Sequence, residues 1–180
     1  MSQISTYCHS RICECSVDFI CDHIAITMST NKTVTIYTDG SCAPNPGKGG
    51  WGVVIVTANG EIVEFFGHAP DEITTNNKME LTAAIKALEY LEHPTNVTLY
   101  TDSTYLKDAF SKSWISKWQQ NNWKTVAKQP VKNKEMWLQL IRLSEFHNIT
   151  WKWVRGHGSN EHNLRCDYLA QMARTRFKQE

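Results

Sequence analysis

The stretch "TDGSCAPNPGKGG", residues 38–50, follows a β-branched run and is not an ordinary turn. Thr33 to Thr38 alternates so that Val34 and Ile36 share a face, as a half-buried strand requires. The strand then runs into Asp39 and a loop carrying four glycines, two prolines, Asn45 and Lys48. An acid at a strand end followed by so much bare backbone marks a place where chain or ligand must come close.

Outward from that loop the pattern stays regular. Trp51 to Thr57 is a second apolar strand, and Asn59-Gly60 turns it into a third, Glu61 to Gly67, as an antiparallel meander. A helix follows Thr74–Asn77, with Leu81, Ala84, Ile85, Leu88 and Leu91 at helical spacing, and His93-Pro94 stops it. Asn96 to Asp102 alternates as a fourth strand. Ser103 caps a second helix on which Leu106, Phe110 and Trp114 share a face. Asn133 opens a further helix with Trp137, Leu140, Ile141 and Ser144 on one side. Ile149 to Val154 is a fifth strand, and the loop "RGHGSNEHN" leads to a last helix ending near Phe177. The order βββαβααβα makes an α/β fold: a mixed five-stranded sheet, with a right-handed crossover between parallel strands and helices packed on it.

The 180 residues with 41% hydrophobic and 21% charged content suit one globular domain. A net charge of +1 means that any attraction to nucleic acid must come from local clustering. No stretch reaches the ~18 apolar residues of a membrane span, and Asp18, Asp22 and His23 interrupt the only greasy N-terminal segment, so the expected location is the cytoplasm. Residues 1–32 read as an N-terminal extension, disordered or preceding a true start at Met28, with the domain at 33–180. Cys8, Cys13, Cys15 and Cys21 lie in the extension, but their spacing fits no C-x2-C zinc pairing.

Position singles out four of the eighteen acids. Asp39 and Asp102 both end strands after a threonine, where parallel strands open a crevice. Glu80 falls in the first turn of the first helix and Asp167 in the first turns of the last. Three of them have a local explanation: Asn77-x-x-Glu80 fits a capping box, Asp102 can bond its own turn, and Asp167 favours the positive end of its helix. Together at one sheet edge they repel, which a protein tolerates mainly when cations neutralise them. Hard oxygen donors without His-Cys pairs suit Mg2+ or Mn2+.

Taken in order, "YTDGSCAPNPGKGGWG", "TTNNKMEL", "LYTDSTY" and "WVRGHGSNEHNLRCDYLA" resemble the motif set of bacterial type I ribonuclease H over residues 33–177. The resemblance implies a ribonuclease H-like fold and endonucleolytic hydrolysis of the RNA strand of RNA–DNA hybrids to 5′-phosphate products, in removal of RNA primers and R-loops. It implies two Mg2+ ions (Mn2+ able to substitute) held by Asp39, Glu80, Asp102 and Asp167, and a proton-shuttling role for His157. It also implies minor-groove contacts by Cys42, Asn45, Asn76 and Asn77, with Asn45 and Thr75 near a DNA-strand phosphate.

Residues 107–133 hold six lysines and one aspartate, interleaved with Phe110, Trp114, Trp118 and Trp123. They resemble the family's basic protrusion, and Trp114, Lys117, Trp118 and Lys124 are its candidate contacts here. Gln119, Gln120, Asn121 and Asn122 stand where basic residues are common, so a weaker, less salt-sensitive grip is expected. The expected protein is a monomer whose partner is the hybrid duplex, with no membrane and no obligate protein partner. A catalytically dead hybrid-binding module and a resolvase or integrase core are the competing readings. The four carboxylates disfavour the first, and the asparagine pair and basic segment disfavour the second.

Overall fold

The computed structural model describes residues 11–14, 33–71, 73–156 and 158–176. Its elements, in chain order, are β1 (Arg11–Glu14), β2 (Thr33–Cys42), β3 (Gly49–Val56), β4 (Ile62–His68), α1 (Asn76–Glu89), β5 (Asn96–Thr101), α2 (Thr104–Ser111), α3 (Trp114–Gln120), α4 (Lys134–Phe146), β6 (Asn148–Trp153) and α5 (Glu161–Arg176). The strands form one mixed sheet in the order β1-β4-β3-β2-β5-β6. The five expected strands are all present, with β2–β3–β4 antiparallel and β2, β5 and β6 parallel.

Alternation along the strands divides the apolar side chains between two faces. Val34, Ile36, Val53, Ile55, Val97 and Leu99 meet Leu81, Ile85 and Leu88 of α1 and Trp137 and Leu140 of α4. On the other face Tyr37, Val54 and Phe66 meet Cys166, Leu169 and Ala173 of α5. That second layer is thin because α5 rests on the β3 backbone. A Cβ on Gly52 would lie 2.5 Å from the Cys166 carbonyl oxygen and 2.8 Å from the Leu169 Cβ.

Three details differ from the sequence reading. First, β2 runs four residues past Thr38, because Asp39–Cys42 pair with Gly49–Gly52 of β3. Second, the single helix expected from Ser103 through Trp114 is two helices. Ser113 at φ 55° leaves the right-handed region and restarts the chain as α3, so five helices are described instead of four. Third, β1 adds a sixth strand. Its residues pair in parallel with Val63–Phe66, on the edge of β4 that the meander leaves open. The remaining extension cysteines, Cys8, Cys15 and Cys21, lie outside the described residues.

Gly52→Ala is expected to destabilise the protein by about 1–3 kcal/mol, the usual range for overpacking where backbone cannot give way. Chemical denaturation of the two proteins measures it; equal midpoints would show that α5 sits more loosely on β3 than those distances imply.

Candidate active site

The β2–β5 register pairs Thr38 with Thr101, so the next residues lie side by side, Asp39 still paired with β3 and Asp102 just past the end of β5. Asp39 is 8% exposed and accepts a hydrogen bond from its neighbour's amide, Gly40 N to Asp39 Oδ1, at 2.7 Å. Gly40 explains how a helix reaches this point. A Cβ there would collide with the backbone of Met79 and Glu80, so α1 presses directly on the end of β2. Only a glycine permits that approach.

Glu80 is set by two side chains. Asn76 Nδ2 donates to Glu80 Oε1 at 2.9 Å, and the Ser103 hydroxyl donates to Glu80 Oε2 in a short contact. The capping box suggested by Asn77-x-x-Glu80 is not formed. The N-cap of α1 is Thr75, whose side chain accepts from Lys78 N, so the helix begins two residues earlier and Glu80 lies in its second turn. With the capping explanation gone, Glu80 is an acid held against the strand ends by Asn76 and Ser103. Ser103 does both jobs, since its hydroxyl oxygen also accepts from Leu106 N at 3.1 Å. Sequence reasoning found the cap and missed the second bond; its only sequence signal is that Ser103 follows Asp102.

Asp167 comes from α5 on the other side of the sheet. Asn160 starts that helix, its Oδ1 accepting from Asn163 N at 3.0 Å. Asn163 is 1% exposed and reaches Asp102 Oδ2 with its amide at 3.4 Å, another partner the sequence reading overlooked.

The charges do not sit comfortably. Burial, then Asp102 and Asp167, push the Asp39 carboxyl up to about 8; the Gly40 amide pulls the other way, and Glu80 adds the smallest push. Burial is also the largest cause for Glu80, raised to about 7 with Asp102 adding and the Ser103 and Asn76 bonds subtracting. The four predicted acids therefore belong to one electrostatic group. Among the described residues no three acidic, imidazole or thiol groups close a ready-made cage around a metal. The donor set of the predicted acids, four carboxyl groups with hard oxygens, is one that could hold a divalent cation.

The glycine-rich loop is laced to the start of α1. Gly47 and Thr74 form a two-way backbone bridge, and the Cys42 thiol lies 3.3–3.5 Å from the carbonyls of Pro44, Gly47 and Thr74. Asn45 Oδ1 accepts from Asn76 N at 3.2 Å. Cys42, Asn45, Thr75 and Asn76 are thus brought together beside Glu80, with Asn77 exposed next to them. Trp114, Lys117, Trp118 and Lys124 belong to the separate α3 protrusion. There Trp114, Trp118 and Trp123 meet in sequence as tilted rings with centroids 5.9 and 6.1 Å apart and Trp118 meets buried Trp137 at 5.5 Å, while Lys117 and Lys124 are exposed. His157 lies outside the described residues.

The family model described as RNase H matches residues 31–175. A ribonuclease H of Chlorobium phaeobacteroides is 51% identical over 142 residues, which cover 79% of this chain and 95% of the relative. The ribonuclease H of Acetivibrio thermocellus is 52% identical over 139 residues, 77% and 92% of the two chains. Among solved structures, LC9-RNase H1, a type 1 enzyme with the type 2 active-site motif, is similar with a TM-score of 0.70 at 30% identity over 82% of this chain and 74% of that one. LC11-RNase H1 in complex with an RNA/DNA hybrid gives 0.58 at 27% identity, over 80% and 98%.

The raised carboxyls fix a pH dependence. The unfolded chain releases the Asp39 and Glu80 protons near their ordinary values of 3.8 and 4.5, whereas the folded metal-free protein holds them to about 8 and 7. Across that window the folded state binds more protons, so its stability falls as pH rises. Thermal melts in EDTA between about pH 5 and pH 9 are expected to show this slope, and Asp39→Asn is expected to flatten it while keeping the fold. A mutant melting well below the wild type at pH 8 would mean that Asp39 holds the fold together.

Proposed function

Because the chain belongs to the ribonuclease H family, we propose that it is a metal-dependent endonuclease that hydrolyses the RNA strand of RNA–DNA hybrids and leaves 5′-phosphomonoester ends, in the removal of RNA primers and R-loops. The observation that carries this reading is the group of mutually repelling carboxylates around buried Asp39, at the end of parallel strands. Residues 33–180 are the catalytic domain, acting in the cytoplasm as a monomer with no obligate protein partner. Among the described residues no helix is long and apolar enough to cross a membrane.

Asp39, Glu80, Asp102 and Asp167 are the residues that would hold the metal. When bound, a pair of Mg2+ ions, or Mn2+ in their place, supplies Lewis acidity at the scissile phosphate and lowers the pKa of the attacking water. The chain's own part is to keep the carboxylates in place and to lose their protons as positive charge arrives, so metal affinity increases with pH. Ser103 and Asn76 fix both oxygens of Glu80, leaving the carboxylate a single orientation. His157 moves a proton during cleavage.

Hybrid recognition is divided between two surfaces. Cys42, Asn45, Asn76 and Asn77 face the minor groove, where the 2′-hydroxyl distinguishes RNA from DNA, and Asn45 and Thr75 lie near a DNA-strand phosphate. Trp114, Lys117, Trp118 and Lys124 take the DNA backbone. The solved relative bound to a hybrid supports this choice of substrate.

Purified protein incubated with hybrid, duplex RNA and duplex DNA is expected to cut only the RNA of the hybrid, and only with Mg2+ or Mn2+. Equal cutting of all three, or none with either metal, would reject the proposal. His157→Ala is expected to slow turnover by roughly 10²–10⁴-fold, the contribution of a positioned proton carrier, while Asp39→Asn abolishes it. Deleting residues 1–27 removes only the four-residue β1 among described elements, so cleavage is expected to continue at the full-length rate; a truncated protein with weaker hybrid affinity would give the extension a part in binding.

A further inference from the structure

Glu64 stands in the middle of β4, 7% exposed, on the face covered by α5. Arg165 of α5 meets it as a fork: Nε donates to Oε1 at 3.1 Å and Oε2 at 3.0 Å, and Nη2 to Oε2 at 2.8 Å. The guanidinium also lies 5.2 Å from the Tyr168 ring centroid. An ion pair whose guanidinium side chain is 34% exposed adds little net stability. What a fork adds is direction, because two parallel bonds fix the plane of both groups.

That direction is passed to the next two residues of α5. Arg165 precedes Cys166, whose thiol donates to the Tyr37 carbonyl of β2 at 3.2 Å and whose own carbonyl abuts Gly52 of β3. Asp167 comes next. At 100° per residue Arg165 and Asp167 sit about 200° apart, on opposite flanks of the helix, with Cys166 between them against the sheet. Asn163, one turn before Asp167 and on its flank, holds Asp102. Cys166 acts as a pivot, and Arg165 on the β4 side resists a roll that would carry Asp167 away from Asp39 and Asp102.

We infer that the Glu64–Arg165 pair is a positioning device for the fourth carboxylate, setting the roll of α5 and with it the metal affinity of the site. The inference rests on the proposed function, in which Asp167 is a metal ligand. In the full-length protein, Glu64→Gln keeps the shape and weakens the fork. Calorimetric titration with Mg2+ in the absence of hybrid is expected to show roughly ten-fold weaker binding, the scale typical when a partner that orients a ligand is lost. The Mg2+ concentration for half-maximal cleavage increases by the same factor while the KM for hybrid stays unchanged. Arg165→Lys retains the charge without the fork and is expected to behave alike, which covers the case of a Glu64→Gln protein that does not fold. Leu140→Ala, in the core on the opposite face, serves as the control, losing stability without losing Mg2+ affinity. If the variants lose stability but bind Mg2+ as tightly as the wild type, the pair only ties α5 to β4 and the inference fails alone. A wild type that neither binds Mg2+ nor cleaves hybrid would remove the functional reading and the inference together.

Discussion

Like charges held together out of water are the constraint on which this molecule turns. Asp39 and Asp102 emerge next to each other because β2 and β5 are parallel neighbours in register, and the sheet does not permit them to separate. Glu80 and Asp167 then arrive from opposite faces, one on α1 and one on α5. The apolar layers, the turn chemistry and the glycines serve to bring those two helices close enough. The energetic result is a pair of carboxyls that keep their protons into the neutral range.

Much of this could be read from the chain because it lies in local pattern. Alternation in Val34–Ile36 and Val97–Leu99 marks strands, helical spacing in Leu81–Leu88 marks α1, and the repeated Thr-Asp at both strand ends marks the site. The paired motifs around those acids point to the family whose model covers residues 31–175. What escaped the sequence depends on contacts between distant residues. No local rule shows that Ser103 serves Glu80 as well as Leu106, since 23 positions separate Ser103 from Glu80. Asn163 and Asp102 are 61 positions apart, and Glu64 and Arg165 are 101 apart. The capping box was a local rule that tertiary structure overrode, with Thr75 and Asn45 taking the start of α1 instead.

The protrusion shows another limit of sequence patterns. Helical spacing carried the reading straight from Leu106 to Trp114, yet Ser113, Asn122, Trp123, Lys128 and Asn133 all take positive φ. Among the described residues these are all the non-glycine positions that do so, and they fall in one segment. Spacing of apolar residues cannot reveal such breaks, and none of the five is a glycine that would announce them. The ladder of Trp114, Trp118 and Trp123 onto Trp137 holds the segment in this shape.

The seam at Gly40 and Gly52 also bears on how such a protein can change over time. At both positions a helix touches strand backbone directly, so the spacing of the carboxylates is measured from main chain to main chain. Side chains deeper in the sandwich, such as Leu88, Leu99 and Leu140, fill space without setting that spacing. Their exchange for other apolar residues alters how readily the fold melts far more than how fast it works, whereas the two glycines have almost no acceptable substitutes. The stability of the fold is therefore adjustable through the α1–α4 core without moving the backbones that bring the four carboxyl groups together.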